Sequence, residues 1–386
     1  MSVVCEKEVR GIIDHFQGLP DPRSTVNRRH LLVDVITICI CGVLAGADGP
    51  AAIEEWAKAQ ETWLKQYLRL PFGIPSHDTI GRVLETLQPQ AFQQCFTAWL
   101  ESLARTDNDE TTTEKRHLAI DGKTMRGSHD RRRGLGPLHM VSVWATANGV
   151  TMGQLATEEK SNEITAIPQL LDQVELEGAV VTIDAAGCQK NIAKKIVDGG
   201  GDYVLAVKGN QPKLFEAVQA HINEHMTDDF ARVAVSRWEE HDKGHGREEH
   251  RYYFQLTAPR DLAERAKWKG LKTIGVAIRG SVENGKETSD VRYYISSLTR
   301  HGKRFASFVR GHWGIENTLH WTLDMTFRED ESRVRGRRLA DNLSWLRRLG
   351  LTLLKRHPKK QTIAMKRRIA GWNVGFLMQV LTGKGT

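Results

Sequence analysis

Two short apolar runs, Leu118-Ala119-Ile120-Asp121 and Val180-Val181-Thr182-Ile183-Asp184, each end in an aspartate. Nothing else in the chain restricts its fold as strongly. Short runs rich in Val and Ile read as buried strands. A carboxylate closing a buried strand is costly to desolvate unless it is paired or binds a metal. On adjacent strands the two acids would reach one edge of a sheet, the usual place for a site in an α/β fold. For either aspartate alone the alternative is a cap on the following turn. The pair in this order favours a shared site.

The surrounding pattern runs strand, hairpin, helix, strand, helix, strand. Leu138 to Thr146 and Val150 to Ala156 are strand-like, and Asn148-Gly149 between them is a hairpin signal. Helices are expected at Ile164 to Val174 and Asn191 to Val197, and a buried strand at Tyr203 to Val207. The result is a mixed α/β sheet, antiparallel at one edge and parallel in the centre. From Phe230 to Leu298 the chain leans towards β structure, in Val233 to Trp238, Arg251 to Leu256, Leu271 to Arg279 and Val291 to Ser296.

The first hundred or so residues read as helical. Val33, Ile36, Ile40, Val43 and Leu44 share a helical face. Ser76 stands where an N-cap belongs, ahead of Ile80, Val83, Leu84 and Leu87. The expected organisation is a helical N-terminal domain over 1–105, a polar linker over 106–116 and a core over 117–229. A β-rich insertion over 230–300 follows, then the rest of the core with a basic tail over 301–386. The N-terminal domain is a candidate DNA-binding module; a structural helical cap is the equal alternative.

Charge narrows the partner. The 386 residues carry 55 Lys and Arg against 47 Asp and Glu, a formal net charge of +8, which suits a polyanion. Between Arg333 and the C-terminus Asp341 is the only acid, so the tail reads as DNA backbone contact, with a solvated helix face as the alternative. Five cysteines without a C-x-x-C pair argue against a disulfide framework or zinc ribbon and suit reduced thiols in the cytoplasm. Met1 to Arg10 is charged and does not read as a signal peptide. Leu31 to Ala47 is strongly apolar, but it contains Asp34 and falls short of the ~20 residues a membrane span needs; it reads as a core helix.

A third acid stands out in His312-Trp313-Gly314-Ile315-Glu316-Asn317-Thr318-Leu319-His320-Trp321. On a regular helix His312, Glu316 and His320 share a face. This stripe is neither core-like nor an ordinary solvated face. Three oxygen ligands (Asp121, Asp184 and Glu316) suit Mg²⁺, with Mn²⁺ as a substitute; zinc held by His312, Glu316 and His320 is the alternative. Lys123, Lys208 and Arg247 each lie beside a glycine or a glycine turn and are candidate phosphate contacts, with a plain surface cation as the alternative. Trp313 and Trp321 are candidates for stacking on an unpaired base or for burial against the sheet. His245 and His250 read as part of a charged β-turn.

With these residues in view, the chain resembles the DDE transposases of bacterial insertion sequences, and most of all the H-repeat-associated subgroup. The carriers are Ile74-Pro75-Ser76-His77-Asp78-Thr79-Ile80, Ala119-Ile120-Asp121-Gly122-Lys123 and Thr182-Ile183-Asp184-Ala185. They continue with Tyr203 to Gln211, Gly244-His245-Gly246-Arg247, the His312 to Trp321 block and Phe327-Arg328-Glu329-Asp330. The resemblance implies a ribonuclease H-like core with a β-rich insertion ahead of the glutamate helix. It makes Asp121, Asp184 and Glu316 the catalytic, metal-binding acids. An insertion accounts for the separation of about 130 residues between Asp184 and Glu316. Related transposases carry an arginine one turn before the glutamate and a lysine two turns after it. Here His312 and Leu323 hold those places and Arg310 is the substitute arginine, so Arg310, His312, Trp313 and Asn317 join the expected DNA contacts. The implied activity is cleavage of element ends and joining to target DNA, with a homodimer as the active form. The alternatives are a remnant that only binds DNA, or a ribonuclease H-like nuclease without strand joining.

Overall fold

The computed structural model describes residues 12–26, 28–104, 115–130, 132–147, 149–157, 162–244, 247–283 and 285–383. Most of the expected linker, Met1 to Arg10 with Cys5, Asn148 of the hairpin signal, and His245 and Gly246 lie outside the described residues. The strands are β1 (Arg116–Met125), β2 (Leu138–Ala145), β3 (Val150–Thr157), β4 (Ala179–Ile183) and β5 (Asp202–Val207). They are followed by β6 (Val235–Gly244), β7 (Arg247–Thr257), β8 (Thr273–Glu283) and β9 (Lys286–Ser296). All nine form one sheet in the order β3-β2-β1-β4-β5-β9-β8-β7-β6.

The first five strands give the ribonuclease H-like core. β1, β2 and β3 are an antiparallel meander, while β1, β4 and β5 run parallel. The β-rich insertion is built into this sheet, because β9 pairs antiparallel with β5 and the meander β9-β8-β7-β6 continues outward. Its strands are longer than their apolar runs, since charged residues such as Glu248, Glu249, Glu283 and Lys286 keep the ladder register.

Alternation along β1 sorts side chains between two cores. Leu118 and Ile120 face helices Glu163–Leu171 and Lys190–Asp198, with Ile167, Leu170, Ile192 and Ile196 as buried partners. Helix Pro212–Met226, which carries no strong sequence signal, joins the same core through Leu214, Val218 and Ile222. Ala119 faces the other way, into a core shared by the N-terminal helices and the C-terminal helix Arg337–Arg356.

That helix corrects the expected basic tail. Residues 340–354 are all buried. Phe96 stacks on Trp345 at 6.3 Å, and the Asn342 amide donates to the carbonyls of Leu84 (2.6 Å) and Leu87 (3.2 Å). Arg347 donates to Asp48 O at 3.0 Å, and Arg367 to Val43 O at 2.9 Å. Arg347, Arg348, Lys366 and Arg367 are therefore internal. Each gives at least one hydrogen bond to a backbone or carboxylate oxygen, as burial of a charge demands. Arg333, Arg335 and Arg338 remain exposed.

Leu32–Leu44 is a core helix, buried at every residue but Val33. Its Asp34 is buried too, and burial pushes its carboxyl up to about 6. No helix among the described residues is long and apolar enough to cross a membrane.

Candidate active site

Sheet register places the first two acids. The parallel ladder of β1 with β4 ends at Ile120 opposite Ile183, so the next residues, Asp121 and Asp184, leave neighbouring strands at one edge. β5 ends at Val207 on the same edge, followed by Lys208. Asn210 ties the loops together by donating from Nδ2 to Ala185 O at 2.5 Å. Asp184 Oδ1 accepts from the N–H groups of Ala186 (3.0 Å) and Gly187 (3.2 Å). Asp184 thus caps its turn and, in doing so, has its carboxylate fixed at the edge.

The third acid arrives on a helix that crosses these strands. Helix Gly302–Gly314 runs on into a π-helical turn, Ile315–His320, and then Trp321–Met325. Two glycines let it lie close to the sheet. A Cβ at Gly311 would stand 2.6 Å from the His117 ring, and one at Gly314 would stand 2.9 Å from the Trp144 ring. A buried relay locks the crossing. Thr182 of β4 bonds His117 Nε2 of β1 at 2.8 Å and His312 Nδ1 of the helix at 3.0 Å. The three elements that carry the three acids are thereby joined through one hydroxyl.

The π-turn corrects the expected His312-Glu316-His320 stripe. Widening the turn shifts the phase of everything after it, and such turns gather at functional sites. His312 is spent on Thr182, His320 Nδ1 lies 3.6 Å from Asp121 Oδ2, and Glu316 is exposed between them. Burial, then Arg292, pushes His312 down to about 4, and burial, then Arg348 and Lys123, pushes His320 to about 3. Both rings are neutral at pH 7. The zinc alternative does not assemble, since the two rings turn to different partners.

Asp121 is the electrostatic focus. Burial raises its carboxyl, Asp184 raises it further, and Glu316 and Glu163 add to this, up to about 8. Sequence reasoning missed Glu163. It opens helix Glu163–Leu171, is buried, and pairs with His139 Nε2 of β2; His139 Nδ1 meets Thr124 Oγ1 of β1 at 2.9 Å. Gly122 makes room for this pair, because a Cβ there would run into both side chains. The usable signal was a glycine directly after Asp121, together with an acid in the first turn of the next helix.

This donor set suits a hard divalent cation, which takes carboxylate oxygens and relieves their mutual repulsion. As they stand, no three His, Cys, Asp or Glu side chains among the described residues converge closely enough to hold a metal ion. The acids share an edge and a field, with the exposed Glu316 the one standing furthest into solvent.

Residues 112–353 match the family described as Transposase DDE domain, and residues 13–100 match the family described as DDE_Tnp_1-associated. The chain belongs to the DDE transposases. It is 37% identical to the "H repeat-associated putative transposase YhhI" of Escherichia coli (strain K12), over 98% of this chain and 99% of that protein. It is also 37% identical to the "H repeat-associated putative transposase YbfD" of the same strain, over 67% of this chain and 98% of that one. The "Inactive transposase YbfQ", again from that strain, is 38% identical over 20% of this chain and 92% of its own length.

In this DDE transposase the expected DNA contacts fall into three groups. Arg247, Arg310, Trp313 and Asn317 meet in one cavity of about 530 Å³ between β7–β9 and the glutamate helix, together with Arg279 and Arg292. Arg292 covers the Trp313 ring at 3.9 Å, so the guanidinium edge rather than the indole face is presented there. Arg310 stands 3.5 Å from both Glu240 and Asp242. Lys208 is exposed beside the acids and has no ion-pair partner among the described residues. Lys123 is corrected: it is buried, with Asp324 at 2.7 Å, Asp330 at 3.1 Å and Glu329 at 3.3 Å around its ammonium. Those acids occupy it, so it is not an open phosphate contact. His312 is half-buried and bonded to Thr182, and Trp321, 60% exposed, is open to solvent.

Proposed function

We propose that this chain cleaves the ends of its own insertion sequence and joins them to target DNA, with Asp121, Asp184 and Glu316 as the catalytic, metal-holding acids. The carrying observation is geometric: Asp121 and Asp184 leave neighbouring strands at one sheet edge and the Thr182 relay ties the Glu316 helix across it, where burial and then Asp184 and Glu316 raise the Asp121 carboxyl. A like-charged group kept this close is costly to fold around and is explained by a cation that binds it. When bound, Mg²⁺ or Mn²⁺ ions supply an activated oxygen nucleophile and stabilise the leaving oxygen.

The chain's own residues orient and exclude. Asp184 is fixed by the Ala186 and Gly187 N–H groups, and His320 borders Asp121. The Thr182 relay holds the glutamate helix to the two strands. In the first step a water oxygen forms a bond to phosphorus at the element end, and the P–O bond to the element's 3′ oxygen breaks. The freed 3′-OH then attacks a phosphorus of target DNA in line and displaces a target 3′ oxygen. No redox partner is needed. The arginine cavity beside Glu316 would hold phosphates of the element end, and pairing two ends calls for two copies of the chain.

The test is to incubate purified protein and Mg²⁺ with DNA carrying its own element end and flank, beside Asp184→Asn. Nicking followed by joined product, lost in the variant, is expected. Nicking without joining would favour a plain nuclease. Binding without metal-dependent cleavage would leave a DNA-binding remnant.

A further inference from the structure

A second cationic surface is lined by none of the residues of the arginine cavity. Two segments far apart in sequence build it, the turns Arg126–Ser128 and Glu329–Glu331. They meet at Gly127, where a Cβ would stand 2.8 Å from Asp330 O and run into Ser332 O. Only a glycine permits so close a backbone approach.

The loop on the first segment is closed and anchored. Asp130 and Leu135 exchange both backbone bonds, at 3.0 and 2.9 Å. Ser128 Oγ donates to Met125 O and accepts from Leu138 N, both at 2.7 Å. Arg337 donates to Gly136 O at 2.8 Å. The result is a preformed groove of about 900 Å³.

Its acids are already engaged. Asp330 is held by Lys123 at 3.1 Å and lies 3.6 Å from Arg126, and Glu331 is paired with Arg328. The cations Arg132, Arg333 and Arg335 also line the groove, and their side chains have no ion-pair or hydrogen-bond partner among the described residues. Three unpaired arginines converging on one preformed groove raise a demand for anions that the protein itself leaves unmet.

The lining also says which anion. The arginine cavity beside Glu316 has Asn317 and Thr318, whose side chains can contact base edges. The second groove has neither aromatic rings other than His129 nor side-chain amides. Contacts of guanidinium groups to phosphate oxygens fix a duplex in place and carry no sequence information, and this lining adds no amide to read adenine beside them. The groove borders the active site, because Lys123, two residues past Asp121, reaches Asp330 on its rim.

We propose that this groove binds the phosphate backbone of duplex DNA regardless of sequence, and that its occupant is the target DNA. The identity of that occupant rests on the transposase reading above; the binding itself does not.

The test uses full-length protein without metal and a random-sequence duplex as probe, followed by fluorescence anisotropy across salt concentrations. The triple variant Arg132→Gln, Arg333→Gln, Arg335→Gln should bind at least about tenfold more weakly. Its log–log salt slope should fall by about 2 to 3, near 0.9 for each phosphate that is no longer neutralised. Replacing the same three residues by Lys should keep the slope. In the joining assay the Gln variant should show a lower ratio of joined to nicked product. An unchanged slope in the Gln variant overturns the proposal. So does an equal loss in the Lys variant at an unchanged melting temperature, or a loss confined to duplex carrying the element end. If wild type binds random duplex through these arginines yet neither nicks nor joins DNA, the transposase reading fails while the groove stands.

Discussion

Two clusters of charge sit side by side in this molecule, and they are built on opposite principles. At the acid edge Asp121 faces Asp184, Glu316 and Glu163, and its carboxyl is driven up to about 8. A few residues along β1, Lys123 enters a cluster around Glu329, which is fully buried. Burial alone would raise Glu329, but Arg348, Lys123 and Arg347 outweigh it and hold the carboxyl far below the usual range. Glu329 Oε1 also accepts from Ser344 Oγ at 2.9 Å. One cluster neutralises itself and serves the fold. The other keeps like charge unrelieved and so depends on something that binds. A carboxylate's environment therefore separates a structural acid from a site acid where residue type does not.

Substitutions at the two centres should behave in opposite ways. The largest effect is expected of Asp121→Asn, which should reduce cleavage by at least about a thousandfold, as loss of an essential catalytic group does. The same variant should be more stable than wild type in metal-free buffer at pH 8. Folded Asp121 keeps its proton up to about pH 8, while the unfolded chain releases it near 3.8. Wild-type stability therefore falls as pH rises from about 4 to 8, and the Asn variant loses that slope. Denaturant unfolding at pH 5 and pH 8 reads this directly, and a wild-type advantage that grows with pH would contradict it.

Glu329→Gln should do the reverse, because it leaves the buried Arg347 and Arg348 without the carboxylate they face. A loss of about 3–5 kcal/mol in unfolding free energy is expected. A loss under about 1 kcal/mol would mean that water, and not Glu329, neutralises those cations.

Glu163→Gln tests whether the unforeseen fourth acid belongs to the site or to the fold. It should lower cleavage by about 10- to 100-fold, the scale for groups that orient metal ligands. The pH at which Asp121 titrates should also drop, since one of the charges raising it is gone. An intact rate with lowered stability would place Glu163 with the structural cluster instead. The smallest effect is expected at the surface. Arg328 and Glu331 are both more than 60% exposed, so Glu331→Gln should leave the melting temperature unchanged.

The sequence made the sheet edge legible because burial leaves a local trace there. Apolar runs ending in Asp121 and Asp184 name both the strands and their closing acids. The N-cap at Ser76 was visible for the same reason, and its Oγ accepts from Thr79 N. Glu316 was visible as chemistry, but its geometry was not. The π-turn directly follows the stretch where Gly311 and Gly314 seat the helix on His117 and Trp144, partners some 170 to 200 residues away in sequence. The buried arginines were misread for a related reason. Charge in a helix reads as solvent contact, and no local pattern announces that Arg348 will meet Glu329 or that Arg347 will reach the Asp48 carbonyl. Glu163 was missed because its partner, His139, stands on another strand.

Helix Arg337–Arg356 also has a consequence for synthesis. The N-terminal helices leave the ribosome first, yet their buried faces are completed by Asn342, Trp345 and Arg347, made some 250 residues later. The early helices must wait with apolar surface uncovered until helix Arg337–Arg356 emerges. The closing of that core therefore reports that synthesis has passed helix Arg337–Arg356. A copy of the gene cut short before this helix would yield a chain holding the first two acids and Glu316 but no finished core to carry them. Chaperones and proteases would meet such a product as an unfinished protein.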